Sequence, residues 1–165
     1  MVKYITDMEI VMALTEGDKA PEFSLNSSTG ETLSLSDLKG KKVALYFYPR
    51  DDTPGCTVEA CNFRDSIEEL TEAGIIVLGV SGDSVESHNQ FIDKFDLNFP
   101  LLADEDKAVS DNYGVWVERV RDGKTSMGIK RVTFLIDEEG TIAKIWPEVK
   151  PDGHALEVLE AARNI

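Results

Sequence analysis

Apolar and polar positions follow two different periods along this chain, and each change of period marks an element. Lys42 to Tyr48 is an almost unbroken apolar run that stops at Pro49. Proline has no N–H and a fixed φ, so the run predicts a buried strand ending there. Farther on, Ala60, Phe63, Ile67 and Leu70 recur at helical spacing. They predict a helix from about Cys56 or Thr57 to Glu72, closed by Gly74, with an acidic opposite face. Ile75 to Val80 is a β-branched run suited to a central strand, and Ser84, three residues before Ser87, is placed to cap a helix reaching about Phe95. Together these make a β-α-β unit.

Upstream, Glu22 to Leu25 and Thr32 to Leu35 flank the turn-rich Asn26-Ser27-Ser28-Thr29-Gly30 and read as a hairpin, followed by a helical turn at Ser36-Asp37-Leu38. Downstream, the pattern predicts a short strand over Phe99 to Leu102 and a short helix over Asp104 to Tyr113. Val132 to Ile136 is a buried strand, joined through Glu139-Gly140 to a partner over Thr141 to Trp146, and His154 to Asn164 is an amphipathic helix. Met1 to Leu14 has no clear period and reads as a lead-in: a short helix, a strand or a loose arm. Strands separated by helices, then a terminal hairpin and helix, predict an α/β fold with a mixed central sheet covered on both faces and an N-terminal β-hairpin addition. No repeat or linker interrupts it, so residues 15–165 are expected to form one domain, a common size for a single core.

Composition narrows the classes. With 42% apolar and 29% charged residues, disorder, collagen-like repeats and a disulfide-stapled miniprotein are poor fits. Seventeen Lys and Arg against thirty-one Asp and Glu leave a net charge of −14, which opposes binding to nucleic acid or anionic membrane. Apolar runs fall far short of the roughly 20 residues of a membrane span. The N-terminus carries Asp7 and Glu9 and no basic stretch before an apolar core, so no secretory signal is expected and the cytoplasm is the default location.

Candidate chemistry is confined to one place. His88 and His154 have no metal-ligand spacing with Cys56 or Cys61, and both are expected at the surface, neither as a general base. No glycine-rich nucleotide fingerprint or phosphate loop occurs, so neither a cofactor nor a metal is expected. The informative stretch runs from Tyr46 to Cys56, out of a strand end and into the first turn of a helix. There the free N–H groups and the macrodipole favour a thiolate, the nucleophilic form of cysteine. Asp51 and Asp52 oppose it, so a cation from elsewhere must stand close by; spacing does not choose which. On an ideal helix Cys56 lies on the side of Ala60, Phe63 and Ile67, and Cys61 lies with Asp65, Glu68 and Glu72. Five residues separate the two cysteines by about 140° and roughly 8 to 9 Å between Cα atoms. A disulfide needs less than about 7 Å, so these sulfurs either never bond or bond after the first turns unwind.

In this stretch the chain closely resembles the peroxiredoxins, and among them the bacterioferritin-comigratory or Q-type group. The pattern of Pro, three residues, Thr or Ser, two residues, Cys is met by Pro49, Thr53 and Cys56, and the group's second cysteine by Cys61. Gly17 to Phe23, Thr57 to Cys61, Tyr113 to Trp116 and Arg131 to Asp137 extend the match over most of the chain. The resemblance implies a thioredoxin-like fold and thiol-dependent reduction of hydrogen peroxide and organic hydroperoxides. It implies Cys56 as the peroxidatic cysteine, Cys61 as its resolving partner in an intramolecular disulfide, and Pro49, Thr53 and Arg131 as the surrounding site. Thr53 hydroxyl, the Cys56 N–H and Arg131 would be donors to the peroxide, Pro49 would pack over the thiolate, and Arg131 would also offset Asp51 and Asp52. The implied partner is thioredoxin or a similar dithiol, and the implied assembly a monomer or dimer. Phe47, Trp116 and Trp146 are candidate pocket walls, though aromatics are more often core. Two competing readings are a thiol-disulfide oxidoreductase, disfavoured because that chemistry usually uses C-x-x-C, and a binding domain with incidental cysteines.

Overall fold

A computed structural model describes residues 14–165 of the chain, so all but the last residue of the lead-in lies outside the described residues. Among the described residues there are nine strands and four helices: β1 Ser24–Ser27, β2 Thr32–Ser34, β3 Lys42–Phe47, α1 Pro54–Glu72, β4 Ile75–Ser81, α2 Val85–Phe95, β5 Leu101–Ala103, α3 Ala108–Asn112, β6 Trp116–Arg121, β7 Lys124–Ile129, β8 Val132–Ile136, β9 Ile142–Trp146 and α4 His154–Arg163. A single 3-10 turn, Leu35–Leu38, follows β2. Seven strands form one mixed sheet in the order β2-β1-β5-β4-β3-β8-β9, with β5, β4 and β3 parallel and the other pairings antiparallel.

Strand periodicity divides the core in two. Val43, Leu45 and Phe47 of β3 point into one cluster with Phe23, Leu35, Val109 and Tyr113. Ala44 and Tyr46, with Tyr48 just beyond the strand, point into the other, beneath Phe63 of α1, Phe91 of α2 and Val158 of α4. Each such Leu, Val or Phe contributes about 2 kcal/mol by leaving water. A strand buried on both faces reads as a continuous apolar run, which is why β3 carries no polar alternation.

Several predicted boundaries move: β1 lies at Ser24–Ser27 rather than Glu22 to Leu25, and β5 at Leu101–Ala103 rather than Phe99 to Leu102. Helix α1 begins at Pro54, before the cysteine, because proline's missing N–H and preset φ suit the first helical position; Thr53 is its extended cap residue. Residues 116–129, to which the hydrophobic pattern assigns no element, form a separate two-stranded antiparallel ribbon. Its polar, solvated strands show no apolar stripe. The turn is legible after the fact: Asp122 and Gly123 both have positive φ, 52° and 76°, as a two-residue hairpin turn of this sequence requires. The short helix predicted from Asp104 is a turn there and becomes helical only at Ala108.

Candidate active site

Strand register brings the site together. In the antiparallel β3–β8 pair Phe47 faces Val132, so the loop leaving β3 and Arg131, just ahead of β8, meet at one end of the sheet. Cys56 is the third residue of α1, in the first turn where N–H groups have no helical acceptor. Its side chain is buried, 1% exposed, on the Ala60 and Phe63 side. Both terminal nitrogens of Arg131 lie 3.5 Å from its Sγ. This is the cation that a thiolate in so acidic a chain requires. Burial disfavours the guanidinium's charge, but Cys56 and Glu59 outweigh that penalty and hold Arg131 above its ordinary range. Gly55 makes the approach possible, since a Cβ there would stand 3.0 Å from Arg131 Nη2.

Arg131 does not offset Asp51 and Asp52. Its ion-pair partner is Glu59, whose Oε1 accepts from Nη1 at 2.8 Å. Asp52 instead pairs with Lys94 across the surface at 2.8 Å, and Asp51 is taken up by other donors. Glu59 is fully buried rather than part of the acidic outer face. Burial raises its carboxyl to about 7 against the pull of Arg131. Its Oε2 and the hydroxyl of Tyr46 are buried without hydrogen-bond partners among the described residues, an uncompensated cost close to the Cys56 sulfur. A partial signal for Glu59 was present in the sequence: three residues beyond Cys56, it falls about 60° from it on the helix wheel, at the edge of the apolar arc.

Both histidines are corrections. Each is wholly buried, because each has partners on both ring nitrogens. His88 Nδ1 lies 2.8 Å from Asp51 Oδ2 and its Nε2 lies 2.8 Å from the Leu102 carbonyl. His154 sits between Thr133 and Glu157, with burial pulling its imidazole below the ordinary range. Asp51 also accepts from the Tyr48 hydroxyl at 2.6 Å and from Ser87 at 2.8 Å, while its own N–H donates to Asp83 Oδ2 at 2.8 Å. Ligand atoms of Asp51, Asp83 and His88 converge within 4.8 Å, the spacing of a metal site. Both ring nitrogens of His88, however, already have partners within the protein, the Asp51 carboxylate and the Leu102 carbonyl. The cluster is an anchor that ties the loop 49–53 to β4, α2 and β5.

Thr53 and Pro49 border a cleft of about 840 Å³ beside the cysteine. The Thr53 hydroxyl donates to the Arg50 carbonyl at 3.0 Å rather than pointing a free O–H at the cleft, so what it presents to a bound molecule is a lone pair. Cys61 is half-buried on the other side of α1, and both thiols are free. With the helix continuous from Pro54, the ideal-helix separation of the two cysteines applies. Of the aromatics, Phe47 is core, Trp116 lines the cleft, and Trp146 packs edge-on against His154 at 5.2 Å. Among the described residues no helix is long and apolar enough to cross a membrane.

Comparison with known proteins gives one family and one fold. The AhpC/TSA family model matches residues 16–145. A putative peroxiredoxin Bcp of Coxiella burnetii is 57% identical over 148 residues, covering 90% of this chain and 98% of that protein. Peroxiredoxin Bcp of Bacillus subtilis is 46% identical over 154 residues, 93% and 98% of the two chains. Among solved structures, a peroxiredoxin Q of Xanthomonas campestris superposes with a TM-score of 0.83 at 41% identity over 86% of this chain and 90% of its own. A PrxQ variant from Xylella fastidiosa does so with 0.87 at 35% identity over 92% and 96%.

Proposed function

This chain belongs to the AhpC/TSA family as a peroxiredoxin of the Bcp and Q type, a thiol-dependent peroxidase with a thioredoxin-like fold, and from that premise we propose which atoms do the work. Cys56 is the peroxidatic residue. Its thiolate attacks one peroxide oxygen, the S–O bond forms as the O–O bond breaks, and the departing oxygen leaves with a proton as water or alcohol. Negative charge builds on that oxygen in the transition state, so donors already in place lower the barrier. Arg131 and the first-turn N–H groups of α1 supply them. The Thr53 lone pair accepts the hydroxyl hydrogen of the incoming peroxide and orients it, and Pro49 closes the rim against water. One observation carries this reading: the two guanidinium nitrogens of Arg131 held 3.5 Å from the Cys56 sulfur.

The sulfenic acid at Cys56 then meets the Cys61 thiol, releasing water and forming an intramolecular disulfide. A thioredoxin-type dithiol in the cytoplasm returns both cysteines to thiols by exchange. The test is stopped-flow mixing with hydrogen peroxide. Loss of peroxide is expected to be rapid in the native chain, absent in Cys56→Ser and limited to one turnover in Cys61→Ser. The oxidised native protein is expected to lose two hydrogen atoms in mass without becoming a covalent dimer. Unchanged consumption by Cys56→Ser would remove the assignment.

A further inference from the structure

In the proposed mechanism residues 54–62 of α1 open so that Cys61 can reach Cys56. Among the described residues, the side chains of this stretch are hydrogen-bonded to the rest of the protein at two points. One is Arg131, which meets Cys56 and Glu59. Once Cys56 is a neutral sulfenic acid the guanidinium no longer faces a thiolate, so this point loosens with the chemistry itself. The other is Asn62, half-buried and next to Cys61. Its Oδ1 accepts from the Gly153 N–H at 3.1 Å, and its Nδ2 donates to the Val58 carbonyl at 2.9 Å. Neither bond involves a charge, so oxidation of Cys56 leaves both as they were.

Gly153 is a fixed post. The residue after it, His154, is wholly buried, with Nε2 2.8 Å from Thr133 Oγ1 on β8 and its ring edge-on to Trp146 at 5.2 Å and to Phe63 at 5.9 Å. Phe63 is itself fully buried, so α1 is locked to the same post from the residue after Asn62 onward. The chain ahead of Gly153 lies along the opening stretch: Pro151 Cγ is 3.6 Å from where a Cβ on Gly55 would stand. Val58, 41% exposed, adds little packing of its own to hold its turn closed. The amide of Asn62 therefore ties the carbonyl of a turn that opens to an N–H that does not move.

Resting on the peroxidase reading above, we infer that Asn62 is a latch on the resolving step, a positioning residue that holds the Cys56–Cys61 stretch closed against the start of α4 and so sets how the sulfenic acid divides between two fates. In one, the Cys61 sulfur attacks the Cys56 sulfur, the S–S bond forms and water leaves. In the other, a second peroxide gives an oxygen to the sulfenic sulfur, its O–O bond breaks, water or an alcohol leaves, and Cys56 becomes a sulfinic acid. The first fate needs the stretch open. The second needs the site still folded around Cys56, so a firmer latch sends more of the protein to sulfinic acid.

The experiment mixes reduced protein, native or Asn62→Ala, with increasing hydrogen peroxide in the absence of reductant. Mass spectrometry then counts disulfide, two hydrogen atoms lighter, against sulfinic acid, two oxygen atoms heavier. The readout is the peroxide concentration at which half the protein is sulfinic, a ratio of the two rates that does not depend on how fast Cys56 is first oxidised. Each lost hydrogen bond is worth roughly two- to tenfold, and alanine returns about threefold as the better helix former, so the concentration is expected to rise about three- to tenfold. Amides 57–61 of the reduced variant are expected to exchange faster by a similar factor. A residue that merely occupied the helix would give the opposite sign, because alanine alone slows opening and lowers the concentration. An unchanged or lowered concentration overturns the proposal, and so does faster exchange with an unchanged division of products. Absence of the intramolecular disulfide from both proteins would remove Cys61 from the mechanism and the latch with it, a failure of the earlier reading that this readout keeps distinct.

Discussion

At Gly55 a single methyl group separates folding from function. The residue lies in the first turn of α1 with ordinary helical backbone, so alanine there costs the helix nothing and removes up to about 1 kcal/mol of unfolded-chain freedom. The same methyl would press to 3.0 Å from Arg131 Nη2, tight enough that the guanidinium must shift where it faces the sulfur. Gly55→Ala is expected to unfold at equal or higher denaturant while its rate with hydrogen peroxide falls at least tenfold. Loss of one preset donor in comparable sites costs about 10²- to 10³-fold. Equal rates would mean that Arg131 is not needed where it stands. Glu59 makes a second prediction at this scale. Burial pushes its carboxyl up to about 7, above the 4.5 it returns to on unfolding. The stability gained by holding that proton is complete below 4.5 and is lost as pH rises through 7. Glu59→Gln keeps an acceptor for Arg131 and needs no proton. Between pH 4.5 and 7 the native protein is expected to lose on the order of 3 kcal/mol more than this variant in urea unfolding. Parallel pH profiles would show that Glu59 titrates normally.

At the scale of elements, the proposed mechanism gives α1 two jobs that conflict. Its first turn must be intact to face the sulfur with N–H groups, and it must open for Cys61 to reach Cys56, because an intact helix keeps their Cα atoms roughly 8 to 9 Å apart. Local unfolding of a helix end is a low-energy event compared with global unfolding. The Asp51 anchor, by contrast, ties the preceding loop to β4, α2 and β5, so opening is expected to stop at the loop. Hydrogen exchange of amides 57–62 should therefore quicken on oxidation while the amide of Asp51 stays protected. Identical protection in both redox states would mean that the disulfide forms without helix opening. Elements with long apolar patterns, such as β3, α1 and β4, were readable from neighbouring residues. The ribbon β6–β7 was not, because solvated strands need no apolar face and only its Asp122-Gly123 turn left a trace.

Over the whole molecule, the distribution of charge matters more than its sum. A net charge of −14 coexists with a cleft where five cations meet one acid. The resemblance in the sequence pointed to Cys56, Arg131, Thr53 and Pro49; the last three line one cleft, and Cys56 is buried behind it with its sulfur 3.5 Å from Arg131. Burial of His88 was illegible because its partners come from a loop and a strand 37 and 14 residues away in sequence.

From its sequence alone this protein had its helices and all its strands but those of the ribbon, the placement of a cysteine in the first turn of a helix, and the distance that two cysteines on one helix must overcome. Those follow from backbone periodicity, which acts between near neighbours. Tertiary structure decided which charges meet: Arg131 with a sulfur 75 residues away, and Glu59 rather than Asp51 or Asp52 as its counter-ion. Coulomb and hydrogen-bond energies depend on separations of a few ångströms. Those separations are set by strand register and packing between elements far apart in the chain.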